Sequence, residues 1–329
     1  MDAVTFNYFY RDTYDSFRSN FGEMLEAQGR LRSGVSLAEQ EYSEDFTWAD
    51  FFYETALDNV KRTVIVYQAA QDAGYALSED ALAEIDGQLD MIAANANANG
   101  FSTAAGFLRG HYGPGASMKS YREYLVMKAV ADGFSGDAYS DETYSKTELT
   151  AWFAQNYPDA GDAYDYSTVD FRMIYIPFSG YAYDADTGVV GYSDESRQDA
   201  MTQLQYISTL YVQGEQTEER FGSLAKEYSS YNRAEGGLYE NAVRDDEQVE
   251  AQVRSWLFAD DRTAGDVDFI EADSGVYLLY FMGEDMPAWE YLAQKGLRTE
   301  AWNAWYAELA SDVEFSENPR VLKHLYLTA

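Results

Sequence analysis

The 329-residue sequence predicts an α+β protein in which a mostly helical domain, made of N-terminal helices and a C-terminal helix, carries a smaller α+β domain as an insertion. Three observations predict it. Through roughly the first 150 residues, apolar side chains recur at helical spacing behind recognisable cap residues. A strand-like run at Val169–Ile176 then opens a segment that reads strand, two helices and late strands. Beyond Pro287 a helical pattern resumes with Trp289, Leu292, Leu297, Trp302, Trp305, Tyr306 and Leu309. That is more apolar surface than a lone tail helix can hide, so it must pack on something, most simply the N-terminal helices.

Each element has its own signal. Thr47 and Asp50 form a T-x-x-D start, and Phe51, Phe52, Val60, Val64 and Tyr67 follow on one face until Gly74 closes the helix. Ser78 starts a second helix through Leu82, Ile85, Leu89 and Ile92, which the Ala-Asn run from Ala93 to Gly100 ends. A third spans Ser102 to Leu108. Gly110-His111-Tyr112-Gly113-Pro114-Gly115 reads as a turn, with Tyr121, Leu125, Met127 and Val130 on the helix after it. Its glycines lack the preceding strand and the spacing of a phosphate loop. Ser145 and Glu148 make a capping box for a helix carrying Leu149, Trp152 and Phe153, stopped by Pro158 and Gly161.

After the strand ending at Pro177, a Tyr-, Gly- and Asp-rich stretch to Ser193 reads as a loop or hairpin. Helices follow from about Glu195 to Val212 and from Thr217 to Tyr228, the second with Phe221, Leu224, Ala225 and Tyr228 at i, i+3, i+4 and i+7. Gly236-Gly237 turns the chain. Val267–Ile270 and Gly275–Phe281 read as short strands joined by a turn at Glu271 to Ser274.

Composition narrows the function. With 23 Lys plus Arg against 57 Asp plus Glu the formal charge is −34, which opposes binding to nucleic acid, where affinity comes largely from cationic side chains. The same field opposes anionic lipid, and no run approaches the ~18 consecutive apolar residues of a spanning helix, so the chain is expected to be soluble. The absence of Cys excludes disulfides, thiolate nucleophiles and cysteine-ligated metals. His111 and His324 are the only histidines and lie far apart, each reading as a surface or turn residue, and there is no G-x-S-x-G elbow. No zinc pair and no Ser-His-Asp hydrolase is expected. Asp184-Ala185-Asp186-Thr187-Gly188 with Asp194 and Glu195 imitates a calcium loop but has Gly188 at position five and Val189 where Gly is required, so a polar hairpin is expected instead. No metal and no cofactor is expected. Among 57 acids, no single carboxylate pair is informative about glycoside hydrolysis.

Several runs match a known family in order and spacing. They are Phe221-x-x-Leu224-Ala225-x-x-Tyr228-Ser229, Gly236-Gly237-Leu238, Trp256-x-Phe258, Gly265-Asp266-Val267 and Gly275-x-Tyr277-x-x-Tyr280-Phe281. In these the chain resembles bacterial extracytoplasmic foldases of the PrsA and SurA type, which carry a parvulin-type peptidyl-prolyl isomerase domain. The resemblance covers about Asp170 to Gly283, and the flanking helices are similar to the chaperone region of such proteins. It implies a helical chaperone-like domain over 1–164, a parvulin-like domain over 165–285, and a C-terminal helical part over 286–329 that returns to the first. The motif residues are those that set the fold, so they bear on architecture and not on activity.

At the family's active site the sequence departs. Where active members read Arg-His-Ile-Leu in the first strand, this chain has Arg172-Met173-Ile174-Tyr175, and where a second His follows Gly-Tyr or Gly-Phe it has Tyr277. The family's Cys or Asp after the Tyr-Ser pair falls near Tyr231. The proline pocket, Met and Phe in the family, falls near Val249, Val253 and Phe258, with Trp256 close by. The resemblance therefore implies a folding factor outside the bacterial cytoplasm that binds unfolded or exported polypeptides, with weak or absent prolyl isomerase activity. Exposed Tyr, Phe and Met side chains would supply adaptable contacts to such clients. An active isomerase and a non-catalytic envelope scaffold remain the alternatives. Met1 leads straight into Asp2-Ala3-Val4, without the basic and apolar run of an export segment, so the chain is expected to lack one that preceded it; any membrane attachment would come through such a missing N-terminal anchor.

Overall fold

The computed structural model describes residues 1–140, 142–184, 189–311 and 313–316. The chain is α+β and falls into two compact units, Met1–Thr143 with the chain from Glu300, and Tyr144–Thr299.

The first unit is helical: α1 (Ala3–Ala27), α2 (Trp48–Asp72), α3 (Glu79–Ala98), α4 (Ala104–Tyr112) and α5 (Met118–Ser140), with a small hairpin of β1 (Glu41–Ser43) and β2 (Phe46–Thr47) before α2. The caps read from the sequence are in place. Thr47 and Asp50 exchange both bonds of a capping box, and Ser78 accepts from the N–H of Ala81. The Ala-Asn run does not stop α3 at its start; the helix continues through Ala98, because alanine at alternate positions offsets the weak helix preference of asparagine. Likewise α4 runs on to Tyr112, so the turn begins only at Gly113, whose φ of 93° and Gly115's of 95° suit glycine. His111 is thus a helical residue, with Nε2 2.7 Å from Asp15 Oδ2.

This unit's core is aromatic, with Tyr8, Tyr10, Trp48, Phe52 and Tyr124 fully buried. Tyrosine is usable there because most of its hydroxyls find partners. Tyr124 donates to Asp12 at 2.7 Å, Tyr112 donates to Asp12 at 3.3 Å, Tyr8 shares a bond with Ser120 at 2.7 Å, and the Trp48 indole donates to the Arg30 carbonyl at 2.8 Å. In α10 (Ala288–Ser311), which crosses from the second unit into the first, the Trp302 indole donates to Ser135 Oγ at 2.7 Å and lies under the Arg62 guanidinium.

The second unit begins with α6 (Lys146–Asn156), capped by the Ser145–Glu148 box. Its remaining elements are β3 (Ser167–Pro177), the hairpin β4 (Tyr181–Asp184) and β5 (Val189–Tyr192), α7 (Asp194–Val212), α8 (Glu218–Tyr228), β6 (Leu238–Ala242), α9 (Ala251–Leu257), β7 (Val267–Glu271) and β8 (Gly275–Pro287). The tip 185–188 of the hairpin read against a calcium loop lies outside the described residues, as does His324. Two of these elements, β6 and α9, were not legible in the sequence, and β8 extends six residues beyond the expected end at Phe281, because β3 pairs with it as far as Ser167 opposite Pro287. The start of α10 packs on α6, where Phe153 meets Trp289 and Trp152 fills the space a side chain at Gly296 would need.

The four-stranded antiparallel sheet has the order β6-β3-β8-β7. Strand alternation divides its side chains between two faces. Ile174 and Ile176 of β3 and Val276 and Leu278 of β8 pack under α7 and α8 against Leu204, Ile207, Phe221 and Leu224. Val169, Phe171, Met173, Tyr277, Leu279 and Phe281 face the other way, where Val249, Val253, Trp256 and Leu257 cover them. The paired glycines have a physical cause here. Gly237 sits at φ 70°, and a Cβ on it would lie 2.0 Å from the Met173 carbonyl oxygen.

Gly237→Ala is therefore expected to destabilise the protein by about 3 kcal/mol, combining left-handed strain with a backbone clash. Gly161→Ala, at φ 51° but with open space where the methyl would go, should lose only about 1 kcal/mol in the same urea titration.

Candidate functional site

On the face away from α7 and α8, the sheet's central strands end in an open cleft of about 670 Å³. Its floor is Met173, Tyr175 and Tyr277, which adjacent positions of β3 and β8 supply: Tyr175 pairs directly with Tyr277 and their rings stack at 4.7 Å. Val249, just ahead of α9, and Val253, within it, form one wall, and Tyr231 and Tyr239 form another, stacked at 6.1 Å. Tyr239 stacks in turn on Phe171 at 5.1 Å, so that wall is anchored in the sheet.

The structure thus brings together five of the seven residues singled out in the sequence: Met173, Tyr231, Tyr277, Val249 and Val253 all line the cleft. Trp256 and Phe258 do not. The Trp256 indole donates to Asp268 at 3.0 Å, packs edge-on against Phe281 and lies beneath the Arg262 guanidinium, which holds it in the core of that face. Phe258 follows the last turn of α9 and meets Tyr166 and Arg244, away from the cleft lining. Val253 lies on α9 and Val249 just ahead of its N-cap Glu250, and the chain's exit from that helix at Phe258 takes that ring to Tyr166 and Arg244 instead.

A residue the sequence reading missed organises the cleft. Glu250, just before α9, reaches across to the β7–β8 turn, where it accepts from the N–H of Asp273 at 2.5 Å, the N–H of Ser274 at 3.2 Å, the Ser274 hydroxyl, and the Tyr277 hydroxyl at 2.8 Å. Tyr175 and Ser274 share a further bond at 2.8 Å. A carboxylate with this many donors is spent as a clamp between α9 and the hairpin, and it has no lone pair facing a substrate proton. No family motif contains it; only its place, one residue before an unseen helix, could have marked it.

Burial pushes the Tyr277 phenol well above the ordinary tyrosine range, and the bond to Glu250 adds to the rise. Burial does the same to Tyr239, helped by its 2.6 Å bond to Asp246. Both phenols stay protonated donors at any physiological pH, so neither serves as a base. Met173 offers only a polarisable thioether. The cleft can grip an apolar side chain, exclude water from it and offer aromatic faces. Among the described residues no group of His, Asp or Glu side chains could hold a metal ion, and no helix is long and apolar enough to cross a membrane.

The helical unit has a groove of its own, about 560 Å³, between α1, α2 and α5. Phe9, Phe17, Phe21, Phe51 and Tyr124 line it, with Phe21 47% exposed.

No protein-family model matches the sequence, and no curated protein matches it. Among solved structures the chain is similar to PrsA from Bacillus subtilis, at 14% identity over 86% of this chain and 94% of that one with a TM-score of 0.37. It is also similar to the foldase protein PrsA from Streptococcus pneumoniae, at 14% identity over 85% and 92% with a TM-score of 0.32. A third is a SurA-like chaperone of Campylobacter jejuni, at 10% identity over 92% and 95% with a TM-score of 0.25.

The raised tyrosines set an alkaline limit. An unfolded tyrosine releases its proton near pH 10, whereas Tyr239 and Tyr277 in the fold do so only at higher pH. Their contribution is fully present below about pH 10 and is lost as pH rises past it, at about 1.4 kcal/mol per pH unit for each such group. Urea titrations from pH 7 to 11.5 should show a plateau and then a fall. Tyr277→Phe should lower the plateau by about 1–2 kcal/mol, because Glu250 loses a donor, and make the fall shallower.

Proposed function

We propose that this protein is an extracytoplasmic folding factor that binds segments of unfolded or exported polypeptides, and that its sheet unit is a parvulin-like domain with weak or absent prolyl isomerase activity. One observation carries the reading. Met173, Tyr231 and Tyr277, the positions where active members of the resembled family hold His and Cys or Asp, meet in one cleft that is apolar at its floor and whose buried hydroxyl is already committed to Glu250. The site keeps the shape to hold an apolar or proline-bearing segment and has lost the polar groups that would act on it.

Prolyl isomerisation breaks no covalent bond; its barrier of about 20 kcal/mol is a torsional one that a desolvating grip lowers only in part. Such a cleft can therefore accelerate exchange modestly without acid or base. Its Val249 and Val253 wall holds a proline ring less closely than larger side chains would. The aromatic groove of the helical unit offers clients a second apolar surface, in keeping with a chaperone-like domain there. The placement outside the cytoplasm belongs to the same proposal and is drawn from the motif resemblance.

The test pairs a client assay with NMR of Xaa-Pro peptides. Stoichiometric protein should suppress aggregation of a denatured client, and peptides should shift cleft resonances with exchange accelerated by less than about tenfold. Tyr231→Ala, which removes one wall, should weaken peptide binding about five- to tenfold, whereas Phe258→Ala should leave it unchanged. Strong acceleration would establish the active isomerase instead. The absence of both protection and peptide shifts would sink the folding-factor reading.

A further inference from the structure

The rim of the sheet unit's cleft carries charge of one sign. Glu247 and Asp273 are exposed at its edge and Glu250 is half-buried between them. Among the described residues Arg254 is the one cation lining it, and its guanidinium turns to the backbone, donating to the carbonyls of Asp246, at 2.6 Å, and Val249. That side chain is committed to closing the turn before α9 and offers little to a ligand's carboxylate. A peptide lying on the apolar floor thus meets carboxylates at its flanks, in a protein of formal charge −34.

We propose that the cleft selects polypeptide segments in which a proline or other apolar side chain is flanked by Lys or Arg; the inference rests on the folding-factor reading, which makes the cleft a peptide site. Three features act together. The apolar floor takes the central side chain, and Glu247 and Asp273 pair with flanking cations at the solvent edge. The face of Tyr231 turned away from Tyr239 adds a surface over which a guanidinium can lie. Glu250 contributes its field but not its lone pairs, which Tyr277, Ser274 and Asp273 already occupy. A segment flanked by Glu or Asp meets the same carboxylates as repulsion, and that discriminates as strongly as the attraction does.

The experiment uses the full chain and a set of ten-residue peptides with one central Phe-Pro, flanked on both sides by Lys, Arg, Gln or Glu. Binding is read by fluorescence anisotropy and located by NMR shifts of cleft residues. Lys- and Arg-flanked peptides should bind about tenfold tighter than the Gln-flanked one and more tightly still than the Glu-flanked one, at low salt. The preference should shrink to about two- or threefold at 0.5 M salt. It should shrink likewise in Glu247→Gln/Asp273→Asn, two exposed positions whose exchange leaves the Glu250 clamp in place. Equal binding of Lys- and Gln-flanked peptides at the cleft, or a preference that survives the double substitution, overturns the charge selection and leaves the folding-factor reading standing. No cleft shift with any peptide overturns the charge selection and the cleft's role as a peptide site, and the folding-factor reading then falls too if the denatured client is not protected.

Discussion

Strand β3 is held from both sides at Met173, and the second unit is arranged around that hold. The Met173 N–H donates to the Gly237 carbonyl at 2.8 Å, while the Met173 carbonyl leaves no room for a side chain on Gly237. On its other edge β3 pairs with β8 over ten positions. Ser229, at the end of α8, then ties the same strand to the helix layer, accepting from the N–H groups of Tyr175 and Tyr231 at 3.1 and 3.0 Å. Arg172 adds a bridge from the strand to Glu218 and to the carbonyls of Glu235 and Gly236. These bonds set the height at which Tyr231 and Tyr239 stand over Met173. The cleft's width is a consequence of a backbone contact that only glycine permits.

Within that frame the polar chemistry of the cleft is turned inward. Taking a carboxylate partly out of water is costly unless donors surround it, and the half-buried Glu250 is surrounded by two backbone N–H groups and two hydroxyls. The same bonds that make the group affordable to bury remove it from reactivity. Tyr277 is committed likewise, as donor to that carboxylate. Under the proposed reading such a site would bind by shape and desolvation, and any catalysis would be limited to the part of a torsional barrier that environment alone can reach.

Much of this was legible in the sequence, for identifiable reasons. The capping boxes at Thr47 and Ser145, the amphipathic face of α8 and the β3 run follow from local rules that packing did not override. The motifs around Phe221, Gly236 and Gly275 gave the inner sheet and its helix layer. By contrast β6 reads Leu238-Tyr239-Glu240-Asn241-Ala242, with Asn241 at φ 55°; it is an edge strand made by pairing with β3, not by its own propensity. The seven-residue α9 is too short for a periodic signal, so Glu250 had nothing to mark it, and Trp256 and Phe258 could not be assigned to a side. The resemblance places Val249, Val253 and Tyr231 at the cleft, whereas Tyr239, which stacks on Tyr231, has no such mark because its strand forms only by pairing with β3.

The overall charge and the local site act over different distances. At physiological ionic strength a charge is felt over about 8 Å, so the −34 of the chain acts on any approaching molecule as a nearby surface and not as a distant point. It favours encounter with cationic segments, disfavours acidic ones, and keeps copies of the protein apart. Retention depends on contacts the field cannot supply, namely the burial of an apolar side chain against Met173 and the two valines. For a peptide bound as proposed, fast encounter through screened charge and modest retention through a shallow apolar floor would together give short-lived binding, because neither term alone is large. Under the proposed folding-factor reading, in which a client is released unaltered, short occupancy would be a functional property. A deeper pocket or an unpaired buried charge would lengthen it, and the Glu250 clamp removes the second of these.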